Sequence, residues 1–407
     1  MTLVIAPNET ASQWKPAAQG SVAKSVPSAR IHYLENLRAV AMLLGVFLHA
    51  ALAYAQPAQS VWLATDSKGS VAIDASIWFI HLFRMGLFFL LSGYFAKLII
   101  ERKGLRHFLW SRCLRIVGPF VLFYPFLLAA MTIVIVFSLS YLVEPRGLMG
   151  LIAEATKGGS GPKKLDPPGT MHLWFLYYSA AFSILAALLY RQKWLRLIAL
   201  FRNQFWLFLC PLLLIPGALA GGTPLAAPES FMPNWWPFAF YGLYYLAGWQ
   251  LFDREHFLDA WRPYLWPVAL VCLVLFVPYY LLMPILDLKS IIAGTSPQTF
   301  FIRAIEAFLT AYLSVLLTIV SLLLGQRFLV GKSPLLSFMA DASYWVYLVH
   351  LPIVLFLQTL LVPLDWPLWL KLTAVLVGTM VPCMATYVVF VRYTPVGWML
   401  HGKRTFP

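Results

Sequence analysis

Long apolar segments alternate with short polar ones along most of the chain. Ten of these segments approach or exceed the roughly 20 residues that an α-helix needs to cross a bilayer. They lie near residues 33–55, 74–98, 113–140, 172–190, 205–221, 235–252, 263–284, 298–324, 337–361 and 367–391. The pattern predicts an all-α integral membrane protein with about ten transmembrane helices. Pro119 and Pro125 predict a tilt or break in the third.

The composition supports the same class of protein. The 407 residues are 61% hydrophobic and 11% charged, whereas a soluble domain carries roughly 25% charged residues. We expect a disordered cytoplasmic tail over residues 1–30, a membrane domain over 31–392 and a short cytoplasmic tail over 393–407. The outer segment 141–171 reads as a flexible loop. No soluble domain is predicted, so any chemistry must belong to the membrane part.

The distribution of Lys and Arg predicts the orientation. With the N-terminus inside, the inner segments hold 19 of these residues and the outer segments hold 7. The positive-inside rule then places both termini in the cytoplasm, in a bacterial inner membrane. Topology thus accounts for the net charge of +14, and no nucleic-acid partner is expected. The four cysteines are scattered in or beside apolar segments, which is typical of packing residues and not of a metal site.

A few ionisable residues fall within the predicted spans, where each costs about 2.5–3.5 kcal/mol on insertion scales. Arg38 and His49 are eleven residues apart, so they share one helix face and are separated by about 16 Å along its axis. Taken alone, an arginine that reaches the interface and a histidine bonded within the bundle explain this pair. The positions of the other histidines favour a site instead.

His49, His81, His172 and His350 all map to the middle or outer half of four different spans. Arg84 lies one turn from His81, and Arg303 and Glu306 share the outer part of the eighth span. We expect the bundle to gather these side chains around one outward-facing cavity. On the inner side, five cations lie between Arg102 and Arg115. They serve either as a topology signal or as a clamp for the phosphates of a cytoplasmic cofactor.

Several motifs resemble the acyltransferase-3 family of membrane proteins. They extend in order from about residue 30 to residue 355: Tyr33 to Arg38 running on to His49, His81 to Phe95 with Ser92-Gly93-Tyr94, Arg112 to Pro119, His172 to Leu176, and Ala342 to His350. The family's arginine and histidine, with ten residues between them, match Arg38 and His49. Relatives commonly have Asp where this chain has Glu35, which should preserve an ion pair with Arg38.

The resemblance implies acyl transfer from a cytoplasmic acyl-coenzyme A to hydroxyls of a periplasmic glucan or related glycan, with succinyl favoured over acetyl. It implies His49 as general base, since imidazole suits that role at neutral pH. Arg38 and Glu306 complete the expected catalytic group, and no metal is expected. Arg38, Arg112 and Arg115 are the expected coenzyme A contacts. The expected substrate-binding residues are His81, Arg84, His172, Trp174, Arg303 and His350. Membrane lipid and glucan-synthesis proteins are the further expected partners.

Other functions fit part of the same pattern. A secondary transporter of a glycan or acidic solute also uses intramembrane His, Arg and Glu, but the two halves of the chain show no repeat. A scaffold for a glycan synthase has no specific signal. Within the enzyme hypothesis, an acyl-enzyme through Ser92 competes with direct transfer, although Ser92-Gly93 is more typical of helix packing.

Overall fold

The computed structural model describes residues 28–157, 169–192, 206–254, 256–284, 298–331 and 333–402. The predicted tail residues 1–27 and 403–407 and the loop residues 158–168 lie outside these ranges. The described chain is helical, without a β-strand, and has an isolated bridge between Ala55 and Ser70. Its α-helices are α1 Ser28–Leu52, α2 Val71–Arg112, α3 Gly118–Tyr141, α4 Gly147–Lys157, α5 Trp174–Arg191, α6 Trp206–Gly221, α7 Trp236–Leu251, α8 His256–Trp261, α9 Leu265–Leu282, α10 Phe300–Phe328, α11 Pro334–Leu361, α12 Leu368–Thr386 and α13 Pro395–His401.

Seven helical stretches of the described chain are long and apolar enough to cross a membrane. They are His32–Leu52, Val71–Tyr141, Met171–Arg191, His256–Leu282, Phe300–Phe328, Pro334–Leu361 and Leu368–Val391. Large apolar side chains remain exposed along α3, α9 and α12, as expected for surfaces that face lipid. The chain is therefore a multi-pass membrane protein, and its class agrees with the sequence prediction.

The stretch Val71–Tyr141 contains 71 residues, far more than a single crossing requires. It is interrupted at Gly104, whose φ of 80° is in the left-handed region that favours glycine, and again by a π-helical turn at Cys113–Val117. The predicted break near Pro119 or Pro125 therefore occurs earlier in the chain. Pro119 lies in the first turn of α3, directly after this π-helical turn, and α3 continues through Pro125.

Part of the predicted flexible loop and part of the expected C-terminal tail are helical. Residues 147–157 of the expected flexible loop form α4, which packs against the turn Ala58–Val61. The expected C-terminal tail contains α13, which returns to the π-helical turn Cys113–Val117. Helix α1 begins at Ser28, so it also extends into the expected N-terminal tail.

Helices α2 and α7 cross at very short distance. A Cβ atom on Gly93 would overlap the carbonyl oxygen of Tyr245, and a Cβ on Gly248 would overlap the carbonyl oxygen of Leu90. Only glycine permits backbones to approach this closely, as is common in helix packing within membranes. The two glycines therefore hold α2 and α7 in direct backbone contact.

Candidate active site

A cavity of about 810 Å³ extends through the helix bundle. Its lining at one end includes Glu35, Arg38, Arg112, Arg115, Asp341 and His401. Its lining at the other end includes Trp62, Leu148, Met171, Leu225 and Glu229. His49, His81, Arg84, His172, Trp174 and His350 line the part between. Nine of the eleven side chains predicted as site residues thus line this one cavity.

Three histidine rings form a continuous cluster in the cavity wall. The ring centroids of His49 and His350 are 5.4 Å apart, and those of His350 and His172 are 5.6 Å apart. They come from α1, from α11 and from the turn Met171–Leu173 before α5. The expected convergence of His side chains from separate helices is therefore present.

Hydrogen bonds to backbone carbonyls fix the tautomers of two of these rings. Nε2 of His172 lies 3.0 Å from the carbonyl oxygen of Leu348, and Nδ1 of His350 lies 2.9 Å from that of Tyr347. Because a carbonyl oxygen only accepts, these nitrogens must donate. The remaining nitrogens, Nδ1 of His172 and Nε2 of His350, each keep a lone pair and have no hydrogen-bond partner among the described residues.

A tryptophan and a glutamine contact His49 and position it. The Trp62 ring stacks on the imidazole, with centroids 5.6 Å apart and an interplanar angle of 26°. Trp62 Nε1 donates to Oε1 of Gln358 at 2.9 Å, and Nε2 of Gln358 donates to the carbonyl oxygens of His49 and Ala50. Nδ1 of His49 has no partner in the described chain. The ring is thus oriented while a nitrogen remains available for proton transfer.

Arg84 lies against α1 one helical turn before His49. A Cβ on Gly45 would overlap Nη1 of Arg84, so glycine at this position lets the guanidinium reach the helix backbone. Within the described part of the chain, Nε of Arg84 has no hydrogen-bond partner and its guanidinium forms no salt bridge. A permanent cation in a largely apolar wall favours an anion in the cavity beside it.

The five predicted inner cations separate into two groups. Arg112 and Arg115 line the cavity, whereas Arg102, Lys103 and Arg106 are exposed and do not. The hydroxyl of Tyr344 donates to the carbonyl oxygen of Arg115 at 2.6 Å and so fixes the backbone there.

Arg38 completes the positive end of the cavity. Its Nη2 donates to the carbonyl oxygen of Ala340 at 3.4 Å, and the charges of Glu35 and Asp341 act on it. The expected ion pair between Glu35 and Arg38 is not formed. Glu35 lies 3.8 Å from His32 instead.

Two predicted site residues do not reach the cavity. Oε1 of Glu306 accepts a hydrogen bond from Gln298 at 2.6 Å, and Arg303 donates to the carbonyl oxygen of Leu219 on α6 at 3.4 Å. Both lie on a face of α10 that packs against other neighbours. Sequence analysis could not foresee this, because the depth of a residue in the membrane does not specify the rotation of its helix. The structure therefore does not join the predicted catalytic Glu306 or substrate-binding Arg303 to His49.

Sequence analysis did not identify several residues that line the cavity. Trp62 and Glu229 lie in irregular segments between helices, and Tyr241 and Tyr347 resemble ordinary aromatic residues of a span. The predicted Trp174 is found in the wall, where its ring centroid is 5.6 Å from that of Tyr241. Ser92 also lines the cavity, while Gly93 beside it makes the helix contact. The packing interpretation thus holds for the glycine and not for the serine.

A multi-pass helical protein with a histidine cluster inside a cation-lined cavity is suited to acid–base chemistry on an anionic substrate. The chain belongs to the acyltransferase-3 family, whose model, described as an acyltransferase domain, matches residues 31–388. The resemblance noted in the sequence is thereby confirmed.

Three similar proteins share one name. The chain is 23% identical to glucans biosynthesis protein C of Shigella dysenteriae serotype 1 over 399 residues, which cover 93% of this chain and 96% of that protein. The same identity and coverage hold for the protein of that name from Escherichia coli K12. A segment of 103 residues is 35% identical to the Salmonella typhi protein of that name and covers 25% of this chain and 26% of that one. No solved structure matches the chain.

Proposed function

We propose that this protein transfers an acyl group, with succinyl favoured over acetyl, from a cytoplasmic acyl-coenzyme A to hydroxyls of a periplasmic glucan. Membership in an acyltransferase family supports the reaction class, and the name of its relatives supports a glucan acceptor. The observation that carries the proposal is the single cavity that contains Arg112 at one end, His49 within it and Glu229 at the other. The same observations favour an enzyme over a secondary transporter.

The proposed topology has ten spans in the inner membrane with both termini in the cytoplasm. The stretch Val71–Tyr141 counts as two of them, and α6 and α7, with 16 residues each, supply two more. Added to the other six long stretches, these make ten. The excess of Lys and Arg on the inner segments then orients the Arg112 end of the cavity toward the cytoplasm.

The donor would enter from this cytoplasmic end. Guanidinium groups match phosphate oxygens in geometry and charge, so Arg112, Arg115 and Arg38 suit the nucleotide part of coenzyme A. The distance of about 16 Å from Arg38 to His49 along α1 suits the extended pantetheine arm, which would bring the thioester to the histidine cluster.

His49 acts as general base in the proposed reaction. A ring nitrogen takes the proton from an acceptor hydroxyl as its oxygen attacks the thioester carbonyl, and a tetrahedral oxyanion forms. Collapse of this intermediate breaks the carbon–sulfur bond. The departing thiolate of coenzyme A takes the proton from His49, which restores the neutral ring. An acylated glucan and free coenzyme A are the products.

Arg84 supports a donor that carries a carboxylate. It lies about 6 Å from the level of His49 along α1, beside Gly45. Its guanidinium can form paired hydrogen bonds with the distal carboxylate of a succinyl group. Arg303, the other candidate for this role, does not line the cavity.

The base is tested with His49→Ala in purified protein reconstituted in lipid. Removal of a general base should lower the transfer rate by about 10²–10⁴-fold, since this is the usual contribution of such a group. Thiol release and acylated glucan are measured together, with Arg38→Ala expected to raise the KM for the donor. Unchanged melting temperature shows that each variant is folded. Normal transfer by folded His49→Ala would disprove the mechanism.

The donor preference is tested with Arg84→Gln. Succinyl-coenzyme A and acetyl-coenzyme A are compared as donors, and the variant should lose activity with the first and retain it with the second. Equal losses of activity with both donors would show that Arg84 stabilises the oxyanion and does not bind the carboxylate of the acyl group.

A further inference from the structure

The segment of residues 222–235, between α6 and α7, covers the end of the cavity that is remote from Arg112. It contains no helix, yet it is tied to the surrounding helices at four points. His81 Nε2 donates a hydrogen bond to the carbonyl oxygen of Leu225 at 2.9 Å, and Thr170 Oγ1 donates to that of Glu229 at 2.9 Å. The hydroxyl of Tyr177 donates to the carbonyl oxygen of Phe231 at 3.0 Å. The N–H of Asn234 donates to the hydroxyl of Tyr178 at 3.0 Å. These bonds make the segment a fixed wall of the cavity.

The backbone beside Glu229 is unusually constrained. Met171 lines the cavity and has a φ of 51°, a conformation that side-chain-bearing residues rarely adopt. A Cβ on the neighbouring Gly169 would approach the carbonyl oxygen of Glu229 to 2.6 Å, so glycine is needed for this contact. Strained backbone of this kind persists where the surroundings hold it, and it is concentrated at ligand sites.

Glu229 places a carboxylate at this end of the cavity. The other lining carboxylates, Glu35 and Asp341, belong to the opposite end with Arg38. Among the described residues, no salt bridge or side-chain hydrogen bond engages the Glu229 carboxylate. Desolvation by its surroundings raises the pKa of Glu229, while the residue itself remains exposed. A carboxylate in this position has its oxygens free for a ligand.

We propose that this end of the cavity is the acceptor subsite and that the Glu229 carboxylate binds hydroxyl groups of the carbohydrate. Two carboxylate oxygens accept hydrogen bonds, which suits neighbouring hydroxyls of one sugar ring. Trp62, in the same part of the lining and stacked on His49, offers an apolar surface beside it. This arrangement would direct another hydroxyl of the sugar toward His49. The inference rests on the proposed function, since it presumes a carbohydrate acceptor.

The test compares Glu229→Gln and Glu229→Leu with a matched control, Glu144→Gln. Glu144 is an exposed carboxylate paired with Arg146 at 3.8 Å and does not line the cavity. Loss of a hydrogen bond to a charged group should raise the acceptor KM by about tenfold in Glu229→Gln and further in Glu229→Leu. The KM for the acyl donor should stay within experimental error in both variants.

Binding without turnover separates this inference from the proposed reaction. Short glucose oligosaccharides are titrated against each protein without donor, with tryptophan fluorescence as the readout. Weaker binding to Glu229→Gln than to Glu144→Gln supports the subsite even if His49→Ala proves active. An unchanged acceptor KM and unchanged binding would overturn the subsite, as would an equal rise of the donor and acceptor KM. An inactive His49→Ala beside a normal Glu229→Gln would leave the reaction intact and reject only the subsite.

Discussion

Gln358 shows how one buried neutral residue prepares a reactive one. Its side chain has 0% exposure and uses both ends of its amide, accepting from Trp62 and donating to the carbonyls of His49 and Ala50. These carbonyls are in the last turn of α1, where helix geometry leaves them without backbone partners. A single amide therefore ends the helix, holds the tryptophan and orients the imidazole.

We expect Gln358→Met to lower kcat for acyl transfer by about tenfold, with little change in the donor KM. Methionine fills a similar volume but cannot hold Trp62 against His49, so the base loses its orientation while the binding end near Arg112 is unaffected. Steady-state kinetics with varied donor separate the two constants.

The control for this prediction is Thr359→Val. Thr359 is also buried on α11, and its hydroxyl bonds Ser138 at 2.7 Å, outside the cavity lining. Its loss should affect stability and not kcat. Equal kinetic losses in both variants would mean that Gln358 acts only through general packing of α11.

The residues predicted from sequence were those whose presence in a span is costly. His49, His172 and His350 were identifiable by their depth, because an ionisable group within the bilayer must face the protein interior. Depth carries no information on helix rotation, so it could not specify that Glu306 and Arg303 lie outside the lining of the cavity. Gln358 and Trp62 gave no such signal, since neither is charged.

At the scale of elements, the crossing of α2 and α7 depends on two reciprocal glycines. Gly93 meets the backbone of Tyr245, and Gly248 meets the backbone of Leu90. Neither contact involves a flexible side chain that can move aside. The crossing brings Tyr241 of α7 and Arg84 of α2 into one cavity wall.

Gly93→Ala should therefore destabilise the protein by about 1–3 kcal/mol, the usual cost of overpacking. The measurement is the midpoint of thermal unfolding in detergent. Gly242→Ala is the matched control on α7, since its Cβ would lie 3.5 Å from Phe182, an ordinary contact. If both variants unfold at the same temperature, the two helices are free to separate and the crossing is not tight.

Element boundaries were predictable where hydrophobic length decides them. The apolar windows anticipated α1, α5 and α9 to α12 closely. The helix α4 was missed because it has only 11 residues, and tertiary contacts, not length, stabilise it. The change of direction at Gly104 was missed as well, because Lys103 and its neighbours read as a polar loop.

At the scale of the molecule, buried charges attach the segment that follows α1 to the helix bundle. Asp66 pairs with Lys371 at 2.6 Å, with the two side chains 1% and 2% exposed. Asp74 accepts from the N–H of Ala58 and from Tyr280. Lys371 was counted in the sequence as a charge on an outer segment. In the structure, the ion pair of Lys371 with Asp66 joins α12 to the segment after α1. A local sequence pattern cannot predict a pairing between such distant positions.

The proposed reaction requires that the donor pass along the cavity from its cationic end to His49. Ser92 lies on the wall of α2 between Arg84 and Arg112 along the chain, so a large side chain there obstructs the route. Ser92→Trp should reduce transfer from acyl-coenzyme A by at least about 10²-fold, because the thioester cannot reach a base held at a distance. Glucan binding at the opposite end should persist, as measured by fluorescence titration.

Two further variants make this obstruction test specific. Val121→Trp adds the same bulk at a position that is 65% exposed on α3 and outside the cavity lining, so it should transfer normally. Ser92→Ala should also remain active if transfer is direct, whereas an acyl-enzyme through the serine hydroxyl requires that it be inactive. Full activity of folded Ser92→Trp would mean that the donor reaches His49 by another path. The cationic end would then have no part in the reaction, because the cavity is what joins Arg112 to the histidine cluster.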